Sequence, residues 1–98
     1  MGAMKRCRMQ IWYSGHVQGV GFRYQTKRLA SGFEVTGTVR NLLDGRVELV
    51  LEGARQELEE FREAIRDSGL GPMIRDEHVK WSEATGSFRG FEIAQQTE

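Results

Sequence analysis

The sequence predicts an α+β domain, and three observations predict it. Two stretches repeat apolar residues at the helical period of 3.6, while the segments around them alternate apolar and polar residues at the strand period of two. An Asp44-Gly45 pair, a strong hairpin signal, stands between the two helical stretches with a strand-like run on either side. The 98 residues suffice for one modest core and not for two. The resulting order is β-α-β-β-α-β plus a short fifth strand, with a single hairpin between two crossover helices. That is the split βαβ, ferredoxin-like plan, an antiparallel sheet with both helices on one face.

The first strand is expected over about Arg8 to Ser14, where Met9, Ile11 and Tyr13 alternate with Arg8, Gln10 and Trp12. Cys7 falls in phase with the inward set. As the single cysteine it is expected to be a small buried thiol, not a nucleophile or half of a disulfide. The first helix starts near Phe22 and carries Phe22, Thr26, Leu29, Ala30 and Phe33 on one face, and Gly32 is expected to end it. Val35 to Leu42 reads as the second strand, with Val35, Gly37, Val39 and Asn41 on one side. After the Leu43-Asp44-Gly45 turn, Arg46 to Glu52 returns as the third strand. Its Val47, Leu49 and Leu51 alternate with polar Glu48 and Glu52, and Gly53 closes it.

Ala54 to Ser68 is the second expected helix. Leu58, Phe61 and Ile65 form its apolar stripe, and its charged residues make a solvated face opposite. A loop at Gly69 to Pro72 leads to a fourth strand over Ile74 to Ser82, with Val79 and Trp81 inward and His78 exposed. Glu83 to Ser87, holding Gly86, reads as a turn, and Phe88 to Ala94 as the fifth strand. No repeat, linker or low-complexity segment interrupts the series, so residues 1–98 read as a single domain. Residues 1–6 are expected outside its ordered part, with Met1 to Ala3 a remnant of expression ahead of Met4.

With 39% apolar and 29% charged residues, the chain has the make-up of a soluble globular protein. No apolar run approaches the ~20 residues of a membrane helix, and the N-terminus leads into no signal-peptide core. The cytoplasm is therefore the expected compartment. Arg6 stands where a myristoylation signal wants Ser or Thr. The formal net charge of zero conceals an asymmetry: up to Arg46 there are eight Lys/Arg against two acids, Glu34 and Asp44, and from Val47 onward six against twelve. The N-terminal half should carry a positive field suited to a small anion. The whole chain has no surplus of charge for nucleic acid, so none is expected as a partner. One cysteine and two histidines, His16 and His78, offer no ligand spacing, and no metal or cofactor is expected.

The rest of the chain is organised around Ser14-Gly15-His16-Val17-Gln18-Gly19-Val20-Gly21-Phe22-Arg23. Three glycines, no proline and no acid lie between a strand and a helix start. Glycines bare the main chain, and a helix N-terminus adds unpaired N–H groups and positive dipole potential. Arg23, in the first helical turn, could fork onto the same anion. No Lys-Ser/Thr follows the glycines and Gly19 and Gly21 lead to Tyr24, so neither the Walker nor the dinucleotide pattern is met. Spacing alone leaves two readings, a phosphate or carboxylate site and a tight strand-to-helix connection with an exposed arginine.

The series of motifs is more specific. Ser14-Gly15-x-Val17-Gln18-Gly19-Val20-x-Phe22-Arg23 is followed by Gly37-x-Val39-x-Asn41, Asp44-Gly45-x-Val47-Glu48, Glu52-Gly53 and Gly90-Phe91-Glu92-Ile93. In that order they resemble the acylphosphatase family, roughly from Met9 to Ala94. The resemblance implies an enzyme that hydrolyses the carboxyl–phosphate bond of acyl phosphates to a carboxylate and inorganic phosphate. It also implies that the amides of His16, Val17, Gln18, Gly19, Val20 and Gly21 cradle the phosphoryl oxygens, with Arg23 as charged partner and Asn41 orienting the attacking water. His16 would contribute its backbone, since the family relies on no histidine there. Thr38 stands where many relatives carry a large aromatic, a difference expected to alter packing near the site. Nothing like the zinc-finger and carbamoyl-transfer regions of hydrogenase maturation proteins follows, so a stand-alone enzyme is expected; it is also expected to be monomeric and, lacking ligand spacing, metal-independent.

Two other classes share parts of this pattern. A non-catalytic anion-binding regulatory module would keep the loop and Arg23 but would not need Asn41. An RNA-recognition domain shares the element order but stacks bases on middle-strand aromatics, and Arg46 to Glu52 contains none. The loop recognises a phosphoryl end, and no motif defines the acyl group.

Overall fold

A computed structural model of the chain describes residues 5–96. The elements are β1 (Arg6–Gly15), α1 (Phe22–Ala30), β2 (Thr36–Asn41), β3 (Val47–Ala54), α2 (Arg55–Asp67), a 3₁₀ turn (Gly71–Met73), β4 (Ile74–Glu83) and β5 (Phe91–Ile93). They form one five-stranded sheet in the order β4-β1-β3-β2-β5, with β3 at its centre. Of the N-terminal stretch expected outside the ordered part, residues 1–4 lie outside the described residues, whereas Arg6 already opens β1 opposite Ala54.

The alternation in the strands decides which face is buried. Met9, Ile11 and Tyr13 of β1, Val39 of β2 and Val47, Leu49 and Leu51 of β3 share the face covered by the helices. Phe22 and Ala30 of α1 and Leu58, Phe61 and Ile65 of α2 pack onto it. Phe61 is the hub: its ring lies 5.2 Å from that of Phe33 and 6.1 Å, edge-on, from that of Phe91. Truncating such a ring to Ala costs about 3–5 kcal/mol through lost burial and the cavity left behind. Arg62 and Arg66 on α2 both grip Glu77 of β4, tying helix to sheet edge. Burial alone would raise the Glu77 carboxyl, but the two guanidiniums hold it below the usual range. No helix among the described residues is long and apolar enough to cross a membrane.

Four expectations need correction. The sheet is mixed rather than antiparallel, because β5 runs parallel to β2, with Gly37, Thr38 and Val39 opposite Phe91, Glu92 and Ile93. After β4 the chain makes no local return but crosses the sheet's helix-free face to the far edge, and only Phe91–Ile93 of the expected Phe88 to Ala94 pair as strand. Glu48 and Glu52 face that side but are buried, the latter completely. Glu48 accepts from Gln10 Nε2 and Arg40 Nε at 2.7 Å each, and Glu52 from Arg8 Nε at 2.8 Å. Finally, Gly32 takes no left-handed cap. The helix tightens instead, with Ser31, Gly32 and Phe33 N–H donating three residues back to Arg28, Leu29 and Ala30.

Candidate active site

β1 delivers the loop and β2 delivers its partner at the same end of the sheet. Tyr13 and Asn41 both stand opposite Val47, one from each side of β3. Asn41 is in phase with Val39, so its side chain projects to the helix-covered face, where the loop climbs. The Asp-Gly turn fixes this end: Leu42 N–H donates to Arg46 O at 2.8 Å and Gly45 N–H to Leu42 O at 3.2 Å. Asp44 is held below its usual carboxylate range by the Arg46 N–H and guanidinium, so this nearby acid is already engaged.

Beyond Gly15 the chain leaves the sheet. The β1–β4 register slips between Ser14 and Gly15, and His16 N–H makes a last bond, 2.9 Å, to Met73 O. The next amide to donate within the described residues is that of Gln25, to Gly21 O at 3.0 Å. Among the described residues, the N–H groups of residues 17–24 therefore have no protein acceptor. Gly19 and Gly21, at φ 77° and 81°, turn this backbone through the left-handed region that other residues resist. Val17, 1% exposed, pins the loop to the core, and Phe22 packs on Tyr13 with the rings tilted and their centres 5.0 Å apart. A run of free amides ending on a helix N-terminus is the kind of backbone that suits an anion.

Arg23 stands half-buried in the first turn of α1. Arg8, Arg40, Arg46, Arg62 and Arg66 each hold a carboxylate, but Arg23 has none among the described residues. Asn41 Oδ1 is likewise buried without a hydrogen-bond partner. A buried amide oxygen without a donor costs roughly 1–3 kcal/mol, a deficit that a water or ligand would remove. These groups meet: Val17, Gly19, Gly21, Arg23 and Asn41 line one cleft of about 180 Å³, together with Phe22, Tyr24 and Ile93. A larger cleft of about 370 Å³ lies by Arg62, Arg66 and Glu77, but there both guanidiniums are already neutralised.

The site residues expected from sequence divide accordingly. Val17, Gly19, Gly21, Arg23 and Asn41 come together. His16 does not join them through its amide, which is committed to Met73; this corrects the cradle's first member. Val20 forms an exposed rim. Gln18 turns its side chain away, donating from Nε2 to Leu42 O at 2.7 Å and Arg46 O at 2.9 Å. It thereby ties the loop to the hairpin that carries Asn41, a role without local sequence signal. Tyr24 carries no motif signal in the sequence, and Ile93 arrives through the parallel docking of β5. Thr38 lies on the opposite, helix-free face, facing Val50 and Glu92, so it does not touch this site.

The family model described as Acylphosphatase matches residues 9–93. An acylphosphatase of Thermobifida fusca is 47% identical over 90 residues, covering 91% of this chain and 98% of its own. One of Trichormus variabilis is 47% identical over 89 residues, covering 88% and 84%. The crystal structure of acylphosphatase from Bacillus subtilis superposes with a TM-score of 0.82 at 34% identity, over 90% of this chain and 98% of that one. Sequence, topology and relatives agree: the chain belongs to the acylphosphatase family.

Proposed function

We propose that the protein hydrolyses acyl phosphates by direct attack of water on phosphorus, releasing a carboxylate and inorganic phosphate. One observation carries this reading: unpartnered amides and an unpaired arginine share a cleft with an unpartnered, buried asparagine oxygen. An acyl phosphate has a good leaving group, so the protein must chiefly position the reactants and stabilise a phosphoryl group in transit. The amides of residues 17–21 and Arg23 hold the phosphoryl oxygens. Asn41 Oδ1 accepts a hydrogen bond from the water and aims its oxygen at phosphorus.

As the new O–P bond forms, the bond to the acyl oxygen breaks and its electron pair leaves on the carboxylate. Asn41 is too weak a base to keep the water's proton, which passes to a substrate oxygen. Its neutrality matters, because a carboxylate in its place would repel the phosphate. With amides and a guanidinium neutralising the phosphoryl charge, the scheme calls for no divalent metal. We read the protein as a single-domain, monomeric cytoplasmic enzyme whose partners are small acyl phosphates and phosphate, without nucleic acid or membrane.

Phosphate release from benzoyl phosphate in chelator tests this, with wild type, Arg23→Ala and Asn41→Ala compared. Wild type turns over without metal. Asn41→Ala loses kcat on the order of 10²–10³-fold while still binding phosphate, because its contact acts in the transition state. Arg23→Ala weakens both phosphate affinity and rate. A fully active Asn41→Ala removes that residue from the mechanism. Loss of turnover in chelator, restored by Mg²⁺, overturns metal independence. An inert wild type that binds phosphate is an anion-binding module.

A further inference from the structure

We propose that the groove continuing from the phosphoryl cleft along α1 is the acyl subsite, and that Arg28 there selects acyl phosphates whose acyl chain ends in a second anion. The proposal rests on the acylphosphatase reading and deepens it. A second cleft, about 560 Å³, shares Gly21 and Tyr24 with the first, so a substrate held by its phosphoryl end leads directly into it. Its walls suit a short hydrocarbon chain. Leu70, 5% exposed, lies deep in the wall; of the four large apolar side chains that the described surface exposes, Tyr24 stands at the junction and Val20 lines the second cleft.

The far end of the groove is cationic. Arg28 lines it, no acid does, and Arg28 is exposed with no ion pair among the described residues. Geometry fits a chain of two or three methylenes. Arg28 stands one turn beyond Tyr24 on the same helix face and ~10 Å of axial rise beyond Gly21. Side chains on a helix lean toward its N-terminus, which brings the guanidinium back toward the cleft. A terminal carboxylate can then take two parallel N–H···O bonds while the methylenes lie against Tyr24 and Leu70. The bonds made and broken are those of the hydrolysis itself, and the products are a dicarboxylate and phosphate.

The test compares kcat/KM for succinyl phosphate, which carries the second carboxylate, with kcat/KM for acetyl phosphate, which does not. It uses wild type, Arg28→Gln, Arg28→Glu and Arg28→Lys. The succinyl-to-acetyl ratio is expected to fall about tenfold in Arg28→Gln, further in Arg28→Glu, and to recover largely in Arg28→Lys. A merely structural role for Arg28 lowers both substrates together and leaves the ratio unmoved, a result that overturns the proposal. A wild type inert on both substrates fails differently, since it overturns the acylphosphatase reading beneath it.

Discussion

Gln18 shows how one side chain can join two halves of a site. Its amide nitrogen serves two carbonyls of the hairpin, Leu42 O and Arg46 O, and so fixes the glycine loop against the strand end that carries Asn41. Gln18→Ala strips both carbonyls of that donor, a loss of about 1–3 kcal/mol. Gln18→Glu should be worse than Ala at neutral pH, because it aims a carboxylate at two carbonyl oxygens and sets a negative charge beside the proposed phosphoryl site. Denaturant melts and kcat on the three proteins check this ranking; Glu equal to or better than Ala would refute the tether. Arg23 and Asn41 could be picked out beforehand because each sits in a motif and at an element boundary. The tether of Gln18 could not, since it spans 24 and 28 residues of chain and exists only once the hairpin has docked. The same holds for His16, whose amide is claimed by Met73, 57 positions along the chain.

At the scale of elements, the link between β4 and β5 explains what the strand patterns could not. Periodicity placed the helices and the first four strands because each repeats its large apolar residues at its own period. β5 pairs through three residues only, and period alone carries no direction. Crossing from β4 to β5 spans four strand spacings, ~19 Å. The seven residues between Glu83 and Phe91 can extend to ~25 Å, so the crossing is just within reach. On its way the link donates to Glu52 from Thr85 N–H, Thr85 Oγ1 and Gly86 N–H at 2.9 Å each, while the Arg8 guanidinium lies 5.2 Å over the Phe88 ring. That cover turns a polar strand position into a buried carboxylate. Burial alone would raise its pKa, but those bonds and Arg8 bring it down to about 2 from 4.5. The folded chain thus prefers the charged form. The stability gained is present in full above pH 4.5 and is lost as pH falls toward about 2. Glu52→Gln should cost ~2–3 kcal/mol at pH 7 and flatten the fall in stability below pH 4.5. Urea melts from pH 7 to 2 measure both, and an unchanged acid slope would detach Glu52 from the acid response.

For the whole molecule, the separation of charge along the sequence becomes a separation in space. α1 carries Arg23, Lys27 and Arg28 and no acid, and its N-terminus opens on the cleft shared with Asn41, whereas the acids lie mostly in α2, β3 and β4. Several of those acids are neutralised where they stand: Glu48 by Arg40, Glu52 by Arg8, Glu77 by Arg62 and Arg66. The cleft at the start of α1 thus adjoins an element whose charged side chains are all positive. An anion that binds only the folded chain must stabilise it, by ~2.7 kcal/mol at a hundred times its Kd. For a domain of this size ~4–8 °C follows each kcal/mol, so saturating inorganic phosphate should raise Tm by roughly 10–20 °C. Salt separates the contributors. Lys27 and Arg28 are exposed and are screened over ~3 Å in 1 M salt, whereas the loop amides act by direct contact. The shift should therefore shrink in 1 M NaCl yet persist in wild type, and fall away in Arg23→Ala. Thermal melts with a phosphate series at low and high salt read both effects. A shift abolished by salt in wild type would mean a diffuse field rather than a nest, and an undiminished shift in Arg23→Ala would move the phosphate to another part of the surface.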